Sequence, residues 1–201
     1  ISIDANGNPH ISYYDLDNGA LKYAKWDGNT WIIENVDTVG NTLGPCSSLA
    51  LDGSNNPHIC YYDVNNRDLK YAKKVGDSWH IQTIDSYGDV GKYASMVLDS
   101  NYFPHISYYN YSDHSLKYAK WTGSSWEIET VIGDNAEWTS IDVDSSNSPY
   151  IVYFEATGNS LKYAKKTGST WSTGYIDSTD VVGDYCSLIL DSNDRPHISY
   201  I

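Results

Sequence analysis

The carboxylates Glu137, Asp142 and Glu155 fall close together, beside Trp138 and Tyr150, in the stretch that departs most from a repeat running through the whole chain. Two carboxyl groups facing each other across a substrate can serve as general acid and base, so this trio is one candidate site. Ordinary divergence of a single repeat accounts for the same residues. Four Pro-His pairs, at His10, His58, His105 and His197, suggest a metal. Zinc, however, needs three or four ligands converging at about 2 Å, and one histidine per repeat at the start of a strand spreads them apart. They read as structural histidines, with no metal expected. The turns at 4–8 and their copies resemble calcium loops in composition but lack the spaced acids and the closing glutamate. No cofactor is expected, with calcium the weaker alternative. Cys46, Cys60 and Cys186 are odd in number and replace different residues of the repeat, which predicts free, partly buried thiols.

The elements that must hold these residues repeat with a period near 47. Leu-Lys-Tyr-Ala-Lys occurs unchanged at 21–25, 69–73, 116–120 and 161–165, with spacings of 48, 47 and 45 residues. A Pro-His-Ile-Ser-Tyr-Tyr-Asp type of run precedes it, and a Gly-x-[Ser/Thr]-Trp turn follows. Such a period signals an array of like units. Each unit carries four strand signals. The first is a short apolar run ending in Asp, at 1–4, 49–52, 96–99, 141–144 and 188–191. The second opens on a proline, which leaves the ladder intact at a first position. The third is Leu-Lys-Tyr-Ala-Lys, and the fourth begins at Trp31, Trp79, Trp126 or Trp171. Large and small side chains alternate along the second and third strands, as in Ser12-Tyr13 and Tyr23-Ala24. That period of two predicts sheets with one bulky and one shallow face, able to stack on one another.

The expectation is therefore an all-β propeller of four-stranded antiparallel blades. Four blades are complete, at about 1–45, 46–92, 93–137 and 138–184, and a fifth is half present at 185–201. Such a piece predicts a longer parent of five to eight blades, or self-association through open terminal blades.

Composition narrows the partners. Of 201 residues 40% are hydrophobic and 14% aromatic, with 19 Tyr, so the chain can bury a substantial core. The net charge is −13, and 10 of the 13 basic residues are dispersed in or beside the repeated Leu-Lys-Tyr-Ala-Lys runs. Phosphate binding needs a clustered basic surface, so no nucleic acid is expected. No apolar run approaches the roughly 18 residues of a spanning helix, and no membrane insertion is expected.

The segment Lys25 to Trp31 and its copies resembles the Asp-box turn of sialidase-like (BNR-type) propellers, and the full repeat looks like blades of secreted and cell-surface proteins. The aspartate of that box stands only at Asp27; Val75, Thr122 and Thr167 replace it elsewhere. The resemblance implies that loops from second to third strands, and from fourth strands to the next first strands, gather on one rim. It would carry Asp15, Asp63, Asn110 and Glu155 from one loop set, and Cys46, Tyr93, Trp138 and Tyr185 from the other. Acids beside aromatics suit sugar rings, while aromatics that plug the channel mouth would look the same. Tyr93, Trp138, Tyr185, Glu137, Asp142, Glu155, Asp15 and Asp63 are thus the candidate ligand-binding residues. Sialidases grip the substrate carboxylate with three arginines, whereas this chain has only Arg67 and Arg195. The expected function is a non-catalytic extracellular or cell-surface module for architecture, adhesion or ligand display, with a glycan or another surface protein as partner. The alternative is a carbohydrate-active protein, lectin or glycosidase.

Overall fold

The computed structural model describes residues 1–40 and 46–201. The described residues form strands and no helix, arranged in two compact units, Ile1–Gly91 and Lys92–Ile201. The first expected blade boundary, at 45, lies outside the described residues.

The first unit holds two four-stranded antiparallel sheets in simple sequence order. One is β1 (Ser2–Ile3), β2 (Pro9–Asp15), β3 (Ala20–Trp26) and β4 (Trp31–Thr38). The other is β5 (Ser47–Leu51), β6 (Pro57–Asp63), β7 (Asp68–Val75) and β8 (Ser78–Asp85). In the second unit a sheet of β9 (Val90–Leu98), β10 (Pro104–Asn110), β11 (Ser115–Trp121) and β12 (Trp126–Ile132) is followed by one of β13 (Ala136–Val143), β14 (Pro149–Glu155), β15 (Ser160–Thr167) and β16 (Thr170–Asp177). A two-stranded sheet of β17 (Ser187–Leu190) and β18 (Pro196–Ser199) comes last.

The first strand of each unit differs from expectation. The aspartate that was expected to end it lies in the following turn, and four of these strands, β5, β9, β13 and β17, start earlier. The cause is local: one carboxylate oxygen of Asp4 accepts the backbone N–H groups of Asn6 and Asn8, at 2.9 and 2.8 Å. Asp52, Asp99, Asp144 and Asp191 do the same in their own turns. An aspartate so engaged closes an Asx turn and leaves the ladder. Its oxygens face N–H donors, an arrangement unlike a calcium cage, in which carboxylates turn toward a cation.

The alternation of side-chain size becomes complementary stacking. In the first unit Leu21, Tyr23 and Val36 of one sheet pack on Leu49, Ile59, Tyr61 and Ala72 of the other. In the second unit Leu116 and Tyr118 pack on Ile141, Ile151, Tyr153 and Ala164. Val152 and Leu161 then pack on Cys186 and Leu188. Within each unit the bulky third-strand Tyr of one sheet shares a core with the small third-strand Ala of the next, Tyr23 with Ala72 and Tyr118 with Ala164, as close packing requires. Gly183, at φ +116°, passes so near Leu161 that a Cβ there would come within 3.0 Å of the Leu161 Cα, so only glycine fits.

A polar latch joins neighbouring sheets within each unit. Glu34 accepts from Lys74 Nζ and, at 2.9 Å, from Trp79 Nε1. Glu129 accepts likewise from Lys166 and, at 2.9 Å, from Trp171. The two tryptophans meet Tyr23 and Tyr118 edge-on, each at 5.3 Å. In the other two sheets the tryptophan after the turn, Trp31 or Trp126, packs instead on Trp26 or Trp121 of its own sheet. One sequence motif thus serves two packing roles, chosen by whether Lys or Trp stands five residues earlier.

Candidate functional site

In the second unit the antiparallel order brings three loops to one end of the sheets: 111–114 after β10, 133–135 after β12 and 156–159 after β14. They border an open cleft of about 510 Å³ lined by His114, Gly133, Asp134, Asn135, Glu155 and Thr157. Tyr93 and Trp138 lie near the same end, in the opening residues of β9 and β13, and Tyr185 comes just before β17.

The acids at the ends of the second strands shape these loops. Asp15 accepts from the backbone N–H and side-chain amide of Asn18 and from Lys22 Nζ. Asp63 is buried and accepts from Asn65, Asn66 and, at 2.7 Å, Lys70 Nζ. Both belong to the first unit. Glu155, also buried, receives the Gly158 N–H on both oxygens, with Lys162 Nζ at 3.8 Å. Asp142 lies away from the loops: its oxygens accept from the N–H groups of Val143 and Leu190, tying β13 to β17. Glu137 alone of the candidate carboxylates makes no side-chain hydrogen bond or ion pair among the described residues.

Lys162 also donates to Asp134 at 2.6 Å, and Tyr153 donates to the same carboxylate oxygen at 3.3 Å. Burial pulls the lysine pKa down, but Asp134 and Glu155 outweigh it and the net shift is upward. The lysine therefore stays charged between two carboxylates. The buried Tyr109 donates its hydroxyl to Asn135 and lies 2.8 Å from His114 Nδ1. Burial, then the nearby Glu137 charge, raise its phenol to about 12.

Tyr93, Trp138 and Tyr185 form a row. Ring centroids are 4.6 Å apart between Tyr93 and Trp138 and 4.0 Å between Trp138 and Tyr185, and Tyr109 continues the row at 6.2 Å from Tyr93. All three lie in the left-handed region, at φ 54°, 50° and 52°. That backbone is unusual for bulky side chains. At Trp138 it accompanies a bulge in the pairing of β13 with β14, between Glu137 and Ser140. Bulges re-aim side chains and occur often beside functional sites. The following residues brace the row: Thr139 Oγ1 donates to the Tyr93 carbonyl at 2.9 Å, and Cys186 Sγ to that of Trp138 at 2.7 Å.

The four Pro-His histidines stand in four different sheets. His10, His58 and His105 are buried, with Nδ1 at 2.6, 2.6 and 2.7 Å from the hydroxyls of Tyr23, Tyr71 and Tyr118. Their Nε2 atoms lie 3.5 Å from Asp4, Asp52 and Asp99. Burial, then Lys73 and Lys120, push His58 and His105 down to about 4, so both are neutral at pH 7 and accept from tyrosine. Among the described residues no group of three or more His, Cys, Asp or Glu is placed to hold a metal.

The sequence reading missed His114, Asp134, Asn135 and Lys162. Lys162 belongs to the uniform repeat, and the loop after β12 carries no motif. Its one signal is the run Gly133-Asp134-Asn135, turn chemistry directly before the odd Glu137-Trp138 pair.

No family model and no curated protein matches the chain. Solved structures do. A mutant of AofleA from Arthrobotrys oligospora is similar over 100% of this chain at 11% identity, with a TM-score of 0.69. The chain spans 63% of that protein's length. Aleuria aurantia lectin in complex with Fucα1-6GlcNAc matches over 98% of this chain and 68% of its own, at 12% identity and TM-score 0.59. An endo-arabinase from Bacteroides thetaiotaomicron matches over 97% of this chain and 84% of its own, at 11% identity and TM-score 0.58. At such identities the likeness is one of fold, and the fold is propeller-like and all-β. The arabinase corrects one expectation. Uniform repetition was read as favouring a non-catalytic module, yet this fold also houses glycoside hydrolases. The repeat records strand packing, whereas catalytic groups sit on loops, so regular strands carry no information about turnover.

Proposed function

We propose that the protein is a carbohydrate-active propeller acting outside the cell, and that it takes a glycan at the loop end of its second unit. Tyr93, Trp138 and Tyr185 offer ring faces to the apolar faces of sugars, and the cleft of His114, Asp134, Asn135 and Thr157 offers partners for hydroxyls. The reading rests on one observation: three aromatic residues at matching positions keep a left-handed backbone beside an open polar cleft. Such strain, of order 1–3 kcal/mol per residue, persists where the surroundings enforce it, and it clusters at ligand sites. The likeness in fold to a lectin bound to a fucosylated sugar and to an arabinase supports carbohydrate as the ligand class.

A glycan array followed by a reducing-sugar assay on every glycan bound tests this. Trp138→Ala and Tyr185→Ala are each expected to weaken binding by roughly tenfold or more, the scale of a lost stacking contact. Sugar release would identify a hydrolase and its absence a lectin, both being carbohydrate-active. An empty array, or binding unchanged in both variants, overturns the proposal.

A further inference from the structure

In the second unit the hydroxyl of Tyr109 stands between two side chains of the cleft. It gives its one proton to Asn135 Oδ1, so it can only accept from the other group it meets, His114 Nδ1 at 2.8 Å. A neutral imidazole carries a single N–H, and here that proton is on Nδ1. His114 Nε2 is then left as an acceptor, and Asn135, with its oxygen engaged, is left with its amide N–H groups as donors. Neither of these outward nitrogens has a partner among the described residues, and both side chains line the open cleft. The pair is firmly held. Tyr109 is 1% exposed, His114 and Asn135 both keep left-handed backbone, at φ 59° and 46°, and the Asn135 N–H donates to the His114 carbonyl at 2.8 Å. The side-chain link is peculiar to this sheet: Tyr14, Tyr62 and Phe154 match Tyr109 in the repeat, but Gly19, Arg67 and Asn159 stand where His114 does.

We propose that this pair reads a secondary amide, and that the glycan taken at the cleft carries an acetamido group, as N-acetylhexosamines do. This rests on the glycan-binding reading above and names its ligand class. An acetamido group sets one N–H and one C=O on a planar frame, the N–H for His114 Nε2 and the carbonyl for the Asn135 amide. A hydroxyl can turn to donate or to accept, whereas neither group of an amide changes its sense, so a pair of fixed sense favours the amide. Tyr109 is the positioning residue. Protonation of His114 turns both outward nitrogens into donors and sets the ligand N–H against an N–H, and histidine is the side chain that ordinarily changes charge between pH 5 and 8. Other titratable groups surround the imidazole. Tyr111 and Asp113 share its loop, Lys92 of β9 lies over the Tyr111 ring, Asp134 and Glu155 are engaged by Lys162, and Glu137 of β13 lies near Tyr109.

Calorimetric titration of the whole chain with a β-1,4-linked N-acetylglucosamine tetramer and with the matching glucose tetramer tests the assignment. At pH 7.5 the acetylated form is expected to bind at least about tenfold tighter, the scale of two hydrogen bonds, and the preference to shrink at pH 5. Asn135→Asp tolerates the same left-handed backbone and replaces the donor by an acceptor, so it is expected to remove most of the preference while leaving the far-ultraviolet spectrum unchanged. Long-range proton–nitrogen spectra of the histidine-labelled chain, with the His114 signals identified by their loss in His114→Asn, are expected to show the proton on Nδ1 without any ligand. A proton on Nε2, equal or weaker binding of the acetylated tetramer, or a preference untouched by Asn135→Asp overturns the inference. If neither tetramer binds while other glycans bind on the array, the inference falls and the glycan reading stands. If nothing binds on either test, both fall.

Discussion

At His58 and His105 a neutral imidazole lies sealed between a tyrosine hydroxyl and an aspartate. The folded pKa near 4 lies below the ordinary value of 6.5, so on acidification the unfolded chain takes up these protons first. The stability contribution is complete above about pH 6.5 and is lost as pH falls toward 4. The loss is up to about 3 kcal/mol per histidine, because each tenfold difference in proton affinity between the folded and unfolded chain is worth about 1.4 kcal/mol. Urea unfolding at pH 7, 5.5 and 4.5 should show this decline, and His58→Gln should flatten it by about one proton. Asp4 and Asp15 are held down to about 2, Asp4 first by backbone donors and Asp15 first by Lys22. Their contribution is lost in a separate window, as pH drops from about 4 toward 2. An unchanged slope in His58→Gln would mean that the imidazole is charged in the fold.

Among the elements, the fourth strands carry the contact that joins neighbouring sheets. Glu34 and Glu129 each satisfy one ammonium and one indole N–H, so Glu34→Ala or Glu129→Ala leaves two donors facing a partly buried gap. A buried donor left unpaired costs about 1–3 kcal/mol, and partial exposure of these groups favours the lower half of that range. Glutamine at either position keeps an acceptor for the indole and should recover part of the loss. Urea midpoints of the four variants decide the matter: alanine variants as stable as the parent would show that the latch contributes nothing. The aromatic row depends on elements as well. Thr139→Val removes the hydroxyl that donates to the Tyr93 carbonyl and accepts from the Ser107 hydroxyl at 2.8 Å. It should destabilise by about 1 kcal/mol and weaken glycan binding more than a surface change of equal cost.

For the molecule as a whole, strands without helix among the described residues predict a far-ultraviolet circular dichroism spectrum lacking the paired helical minima, with aromatic bands from the packed Tyr and Trp. A helix-dominated spectrum would contradict the fold. The net charge of −13 predicts that association with a cationic ligand slows as ionic strength rises, because the attraction beyond about 8–10 Å is screened near physiological salt. Stopped-flow association at two salt concentrations measures this, and a salt-independent rate would exclude steering.

The strand order, the proline-opened second strands and the stacking of bulky on shallow faces were legible in the sequence, because period-two alternation and turn residues are local and every repeat restates them. The packing of Tyr23 toward Ala72 and of Tyr118 toward Ala164 follows from that alternation alone. What depended on neighbouring sheets was not legible. Glu155 and Asp63 read as loop-end acids free for a ligand, yet the lysine of the next strand and the N–H groups of their own turns take them up. Asp142 read as a third carboxylate at the site, and the N–H of Leu190, 48 residues on, takes it instead. Glu137 looked no different from these in the sequence, yet among the described residues it makes no side-chain hydrogen bond or ion pair, beside a bulge in the pairing of β13 with β14. Local periodicity determined which residues form strands and which faces they show. The partners of each charge were decided by the tertiary structure, because a hydrogen bond acts over about 3 Å in space between groups that can lie tens of residues apart along the chain, and no local pattern states which distant groups meet.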